Sequence, residues 1–259
     1  MAIRDRILCN IFGVLPEISA DSHIGPSDSG LFMVFPQTRW TYIRQAGSDD
    51  SAAANAALSE LCASYRDPVL TYVRIRLGAD RDAEDIVQDF FARLIRGDLL
   101  ARANPDRGTF RSFLLHAVSQ FISDFRDHQN AAKRGGAHQR VSTETIDETP
   151  DRRSMTPEQE FERRWARTVL QRALDRLEAE YCSNGRQELF NVIKDQLDGT
   201  TARTGAAMAS ILGITEAAVR VAVHRMKQRL GQFIREEVAE TVPHSVEVDD
   251  ELTRLRQSL

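Results

Sequence analysis

Beyond residue 38, apolar positions recur at i, i+3 and i+4 along most of the chain, and no stretch alternates strictly, so the pattern predicts helices throughout. Helical periodicity begins near Thr38 and continues through 51–65. Asp67 and Pro68 read as an N-cap and first helical residue. They open a helix with Val69, Leu70, Val73 and Leu77 on one side and Gly78 at its end. Between Asp80 and Ile95, a broad apolar face is formed by Ala83, Ile86, Val87, Phe90, Phe91 and Leu94, with Gly97 as the stop. A longer helix over about 109–130 buries Phe110, Phe113, Leu114, Ala117, Val118, Phe121 and Phe125. The spacing resumes at Trp165, Val169, Ala173 and Leu177, followed by Leu189, Ile193 and Leu197.

The last periodic stretch, AAMASILGITEAAVRVAVHRMKQRL at 206–230, predicts a helix-turn-helix. Met208, Ile211 and Leu212 form the first stripe, Gly213 breaks it, and Thr215 is placed to cap the next helix. That helix buries Val219, Val223, Met226, Leu230 and Phe233 on one face. Its other face carries Ala217, Val221, His224 and Gln228, flanked by Arg220 and Arg225. Small, polar and cationic groups in that order suit base edges and phosphates in a DNA groove. A solvated amphipathic helix packed on a bundle has the same pattern, so the stretch does not settle its role by itself.

Two further polar faces stand opposite apolar stripes. On the 80–95 helix, Asp85, Gln88, Asp89 and Ala92 share one side. On the 109–130 helix, His116, Ser119, Ser123 and Arg126 do so, with Gln120 at the margin and Arg111 near the start. Hydroxyl, amide, imidazole and guanidinium groups on one face suit hydrogen bonding to bases and phosphates.

Composition supports a helical reading. The chain has 28% charged residues with only 14 Gly and 8 Pro, which suits helices better than sheets. Its 259 residues leave room for two modest domains. The expected fold is all-α: two helical domains joined by a flexible linker, the C-terminal one containing the helix-turn-helix. The expected boundaries are a poorly ordered extension at 1–36, a helical domain at 37–135, an acidic linker at 136–160, a second domain at 161–235 and an acidic tail at 236–259.

A net charge of -4 argues against a uniformly basic nucleic-acid coat protein, but the charge is unevenly placed. Residues 107–140 carry Arg107, Arg111, Arg126, Lys133, Arg134 and Arg140. Residues 201–235 carry Arg203, Arg220, Arg225, Lys227, Arg229 and Arg235. Two basic surfaces that coincide with two polar helix faces suggest two contacts with a polyanion.

Cys9, Cys62 and Cys182 lie far apart, and the six histidines show no ligand spacing, so no metal site and no cofactor are expected. The carboxylates at 85–89 sit on one stripe with no histidine beside them, which argues against a nuclease or other enzyme; no catalytic residue is assigned. No apolar run is long enough for membrane insertion. Ile7–Leu15 follows Arg4 and Arg6 but contains Asn10 and lacks a cleavage site, so a cytoplasmic location is expected.

Taken in order, three segments resemble a bacterial RNA polymerase sigma factor of the small extracytoplasmic-function type. DAEDIVQDFFARL at 82–94 looks like the region that grips the polymerase clamp helices. GTFRSFLLHAVSQFISDFRDHQNAAKRGG at 108–136 is similar to the helix that reads and opens the −10 element. The helix-turn-helix resembles the domain that binds the −35 element. RGTFRSFLL, KRGG and the tail EEVAETVPHSVEVDDEL further resemble a subgroup with an extended second domain and a short acidic extension.

The resemblance implies a dissociable subunit that directs core RNA polymerase to promoter DNA and assists melting, while polymerase supplies catalysis. It places Asp85, Gln88 and Asp89 on core polymerase. His116, Gln120 and Ser123 fall on the non-template strand, and Ser119 and Arg126 on the same face, with Arg111 near the helix start, are expected to join them at the −10 element. Arg220, Val221, His224 and Arg225 face the upstream element, with Gln228 beside them. The resemblance also leaves room for an anti-sigma factor or a regulatory kinase as a further partner. Two departures bear on base preference: Asp127, His128 and Gln129 thin the basic run after the −10 helix, and Asp198–Gly205 lengthens the approach to the helix-turn-helix. The alternative is a stand-alone helix-turn-helix regulator, which accounts for 206–230 but gives the 80–95 and 109–130 faces no task.

Overall fold

The structure, a computed structural model, describes residues 52–78, 83–96, 99, 108–135, 155–197, 203–242 and 247–258. Every regular element among them is helical. The expected extension at 1–36, most of the expected linker, and the helix stop at Gly97 lie outside the described residues. Two compact units divide the chain between Trp165 and Ala166.

The first unit begins with α1, Ala52–Leu77, one helix that continues through Pro68. This corrects the expectation of a new helix opening at Asp67-Pro68. An interior proline lacks the N–H that reaches back four residues and costs about 3 kcal/mol or more. Here Tyr65, Val69, Tyr72 and Val73 are buried at i, i+4, i+7 and i+8, so one apolar stripe runs straight past the proline. Burying two tyrosines and two valines offsets the lost hydrogen bond. Gly78 ends the helix in a left-handed conformation, φ 83°.

Helix α2, Ala83–Ile95, buries all six residues of its expected apolar face. Its Glu84 binds Arg66 and Arg74 of α1, the second at 3.0 Å. Helix α3, Phe110–Gly135, is capped by the Thr109 hydroxyl, which accepts from the Ser112 N–H. Edge-to-face ring pairs tie these helices together: Tyr65 with Phe110 at 5.5 Å, and Phe90 with Phe121 at 5.6 Å.

Helix α4, Pro157–Ser183, starts earlier than the expected end of the linker at 160. Thr156 and Gln159 form a reciprocal capping box, and Pro157 occupies the first helical position. Phe161 and Trp165 are buried in the first unit, where Phe161 meets Tyr72 edge-on at 6.3 Å.

The second unit continues with α4 from Ala166, then α5, Gln187–Ile193, α6, Gly205–Leu212, α7, Glu216–Ala239, and α8, Val248–Gln257. Val169, Leu170, Ala173 and Leu177 of α4 are buried, as are Val219, Met226, Leu230 and Phe233 of α7. Glu237, also buried, is held by Arg172 at 3.6 Å and Arg176 at 3.0 Å, so its charge is paired inside the unit. The described residues of the expected acidic tail are largely helical. Its first residues finish α7, and α8 packs on α7 through Val248 and Leu255, with Asp249 bound to Arg235 at 2.6 Å.

Among the described residues, no single helix is long and apolar enough to cross a membrane, and no group of three metal-ligating side chains converges.

Candidate functional site

Three surfaces carry the candidate residues, two on the first unit and one on the second. On α2, the apolar stripe turns Asp85, Gln88 and Asp89 outward, and all three are exposed. They form one wall of a groove completed by Ile86 and Ala92 and by Phe121 and Phe125 of α3. The groove therefore has polar carboxylate and amide groups on one side and aromatic surface on the other. Asp89 meets Arg93 at 4.0 Å in an exposed pair, which contributes little stability and leaves its carboxylate available to a partner. Arg93 in turn lies over the Phe121 ring at 4.9 Å. Phe121 and Phe125 were expected only as core. Their part in the groove comes from the packing of α3 beside α2, which the periodicity of either helix alone does not reveal.

On α3, His116, Gln120 and Ser123 are exposed at i, i+4 and i+7, and Ser119 is half-buried beside them. Arg126 is exposed but engaged, donating from its guanidinium to the Arg76 carbonyl oxygen at the end of α1. Arg111 is a correction. Its side chain is only 4% exposed, lies over the Trp165 ring at 4.4 Å and forms an ion pair with Glu162. Five residues before His116, on the far side of the helix, this position points at α4. A guanidinium stacked on indole and paired with a carboxylate is a packing element and is not presented to a ligand.

On the second unit, α6 and α7 are bent by 97° across a three-residue turn. Gly213 caps α6 with φ 64°, and the Ile214 N–H reaches back to the Ala209 carbonyl at 3.1 Å. Thr215 caps α7 by accepting from the Ala218 N–H at 3.2 Å. The two glycine and threonine signals in the sequence are therefore used as their chemistry predicts. Ile211 is a second correction: expected on the buried stripe of α6, it is 51% exposed. Helix α6 is only eight residues long and turns its Met208 and Ala209 side inward.

Ala217, Arg220, Val221, His224, Arg225 and Gln228 of α7 are all exposed, Val221 by 48%. Among the described residues, Arg220 and Arg225 form no ion pair. The other cations of α7 are occupied or withdrawn. Arg229 is clamped to Glu180 at 2.6 and 2.9 Å, and Arg235 is bound to Asp249. Lys227 is partly buried, and that burial lowers its pKa. The Arg229 guanidinium holds the Glu180 carboxyl below the usual carboxylate range. The positive charge that α7 leaves for an outside partner is thus concentrated on its exposed face.

No curated protein and no solved structure matches this chain. Residues 61–131, which run from α1 through most of α3 and include the groove and the His116 face, match the Sigma-70 region 2 family. That match supports an RNA polymerase sigma factor, with a role in promoter recognition and transcription initiation.

Proposed function

We propose that the chain is a sigma factor of the extracytoplasmic-function type whose two helical units share promoter recognition. The observation that carries this reading is the region 2 match over 61–131, coincident with two exposed polar faces on α2 and α3. Asp85, Gln88 and Asp89 bind core polymerase through the groove wall. His116, Ser119, Gln120 and Ser123 capture the unpaired −10 strand, with Arg126 at the end of the face. Capturing unstacked bases by hydrogen bonding stabilises the melted state without bond chemistry. Polymerase supplies the catalysis.

On this reading α6 and α7 form a DNA-binding helix-turn-helix for the −35 element. Arg220 and Arg225 anchor the duplex, His224 and Gln228 meet base edges, and Val221 offers an apolar contact to a thymine methyl. The exposed, uncompensated charge on α7 favours this assignment, because phosphate neutralisation dominates affinity for DNA. The protein then works in the cytoplasm beside polymerase.

A pull-down with purified core polymerase tests the first unit's role. Asp85→Arg combined with Gln88→Ala should abolish retention while leaving helical content unchanged, since both side chains point to solvent. Undiminished retention contradicts the assignment.

A further inference from the structure

The end of α4, the turn at 184–186 and the middle of α7 enclose a polar cleft that the sequence pattern did not single out. Asn184 and Arg186 line it from the turn, and Arg225, Gln228 and Gln232 line it from α7. Glu180 is the one carboxylate among its lining residues, and Arg229 already holds it at 2.6 and 2.9 Å. Arg229 also donates to the Gln232 Oε1 at 2.9 Å, so the Gln232 amide nitrogen keeps its two donors for another acceptor. Arg186 and Arg225 are exposed and form no ion pair among the described residues. Two uncompensated guanidinium groups beside amide donors make a seat for an oxyanion.

The position of the cleft identifies the source of that anion. Arg225 and Gln228 belong both to the cleft and to the exposed face of α7 that carries Arg220, Val221 and His224. An anion held there lies beside whatever that face touches. We propose that the cleft seats one backbone phosphate of the duplex read by α7, gripped by Arg186 and Arg225, and so sets the helix's register on the DNA. This inference rests on the reading of α7 as a DNA-binding helix and adds a contact from outside the helix-turn-helix. Phosphate contacts of this kind fix orientation and carry no base information.

The test measures binding of the full chain to duplex DNA carrying the upstream element across a range of salt concentrations, comparing Arg186→Gln with Arg220→Ala. Losing one phosphate contact should make the slope of log affinity against log salt shallower by about 0.9. The Arg186→Gln loss should be equal for all base variants of the element, and Arg186→Lys should recover much of it. A duplex carrying one neutral methylphosphonate at the seated phosphate should bind the unaltered chain more weakly than natural DNA binds Arg186→Gln, because it also removes the charge that Arg225 grips. That duplex should weaken the variant by clearly less than it weakens the unaltered chain.

If Arg186→Gln keeps full affinity and slope while Arg220→Ala is impaired, the seat is refuted and the reading of α7 stands. If neither substitution changes binding, the reading of α7 fails together with the seat. A loss confined to one base variant, or one that no methylphosphonate position reproduces, also overturns the proposal.

Discussion

Arg111 and His116 lie on the same helix but in opposite surroundings, and that difference decides what each side chain can do. Arg111 is buried against Trp165 and paired with Glu162, so Arg111→Ala strands a partly buried carboxylate and empties space beside an indole. Breaking a buried pair from one side costs on the order of 3 kcal/mol, a loss that urea unfolding should register as a lower midpoint. His116 is exposed, so His116→Ala should change stability by no more than about 0.5 kcal/mol while impairing promoter opening, as read by permanganate reactivity of unpaired thymines. The two described cysteines separate in the same way. Burial pushes the Cys62 thiol up to about 11, whereas Cys182 is exposed. Thiolate is the reactive form, so peptide mapping after brief maleimide treatment near neutral pH should find Cys182 labelled well ahead of Cys62.

At the level of single elements, caps and clips hold the second unit in shape. Thr215→Ala removes the side-chain acceptor at the start of α7 and should cost about 1 kcal/mol in thermal or urea unfolding. The Glu180–Arg229 clip joins α4 to α7 and gives a pH dependence of known sign. The folded-state carboxyl is held below its ordinary value, so the unfolded chain binds its proton first as pH falls. The clip's contribution is complete above the ordinary glutamate range and is lost as pH drops through the depressed folded value. Glu180→Gln should therefore lower the melting temperature at neutral pH, and the gap between the two proteins should close in acid. The helices themselves were largely legible, because i, i+4 apolar spacing, Gly213 and Thr215 are local signals. The failures all required a neighbour. Pro68 continues a helix because the buried stripe on both sides of it outweighs a local breaker, and Ile211 is exposed because α6 packs by Met208 and Ala209. Arg111 and the Phe121–Phe125 side of the groove depend on helices distant in sequence.

For the whole molecule, the candidate site was readable as faces but not as enclosures. Asp85, Gln88 and Asp89 could be placed on one side of α2, yet the aromatic wall opposite them comes from α3. Likewise Arg225 and Gln228 were legible on α7, while Asn184 and Arg186, which complete the polar cleft, sit in a turn with no periodicity to mark it. On the proposed function, these surfaces act together to direct RNA polymerase to promoters. Run-off transcription with purified core polymerase, a library of genomic fragments and the full chain tests it most directly. Transcripts with discrete start sites should appear only when the chain is added and disappear with Asp85→Arg combined with Gln88→Ala. A chain that leaves the output of core polymerase unchanged on every fragment contradicts it.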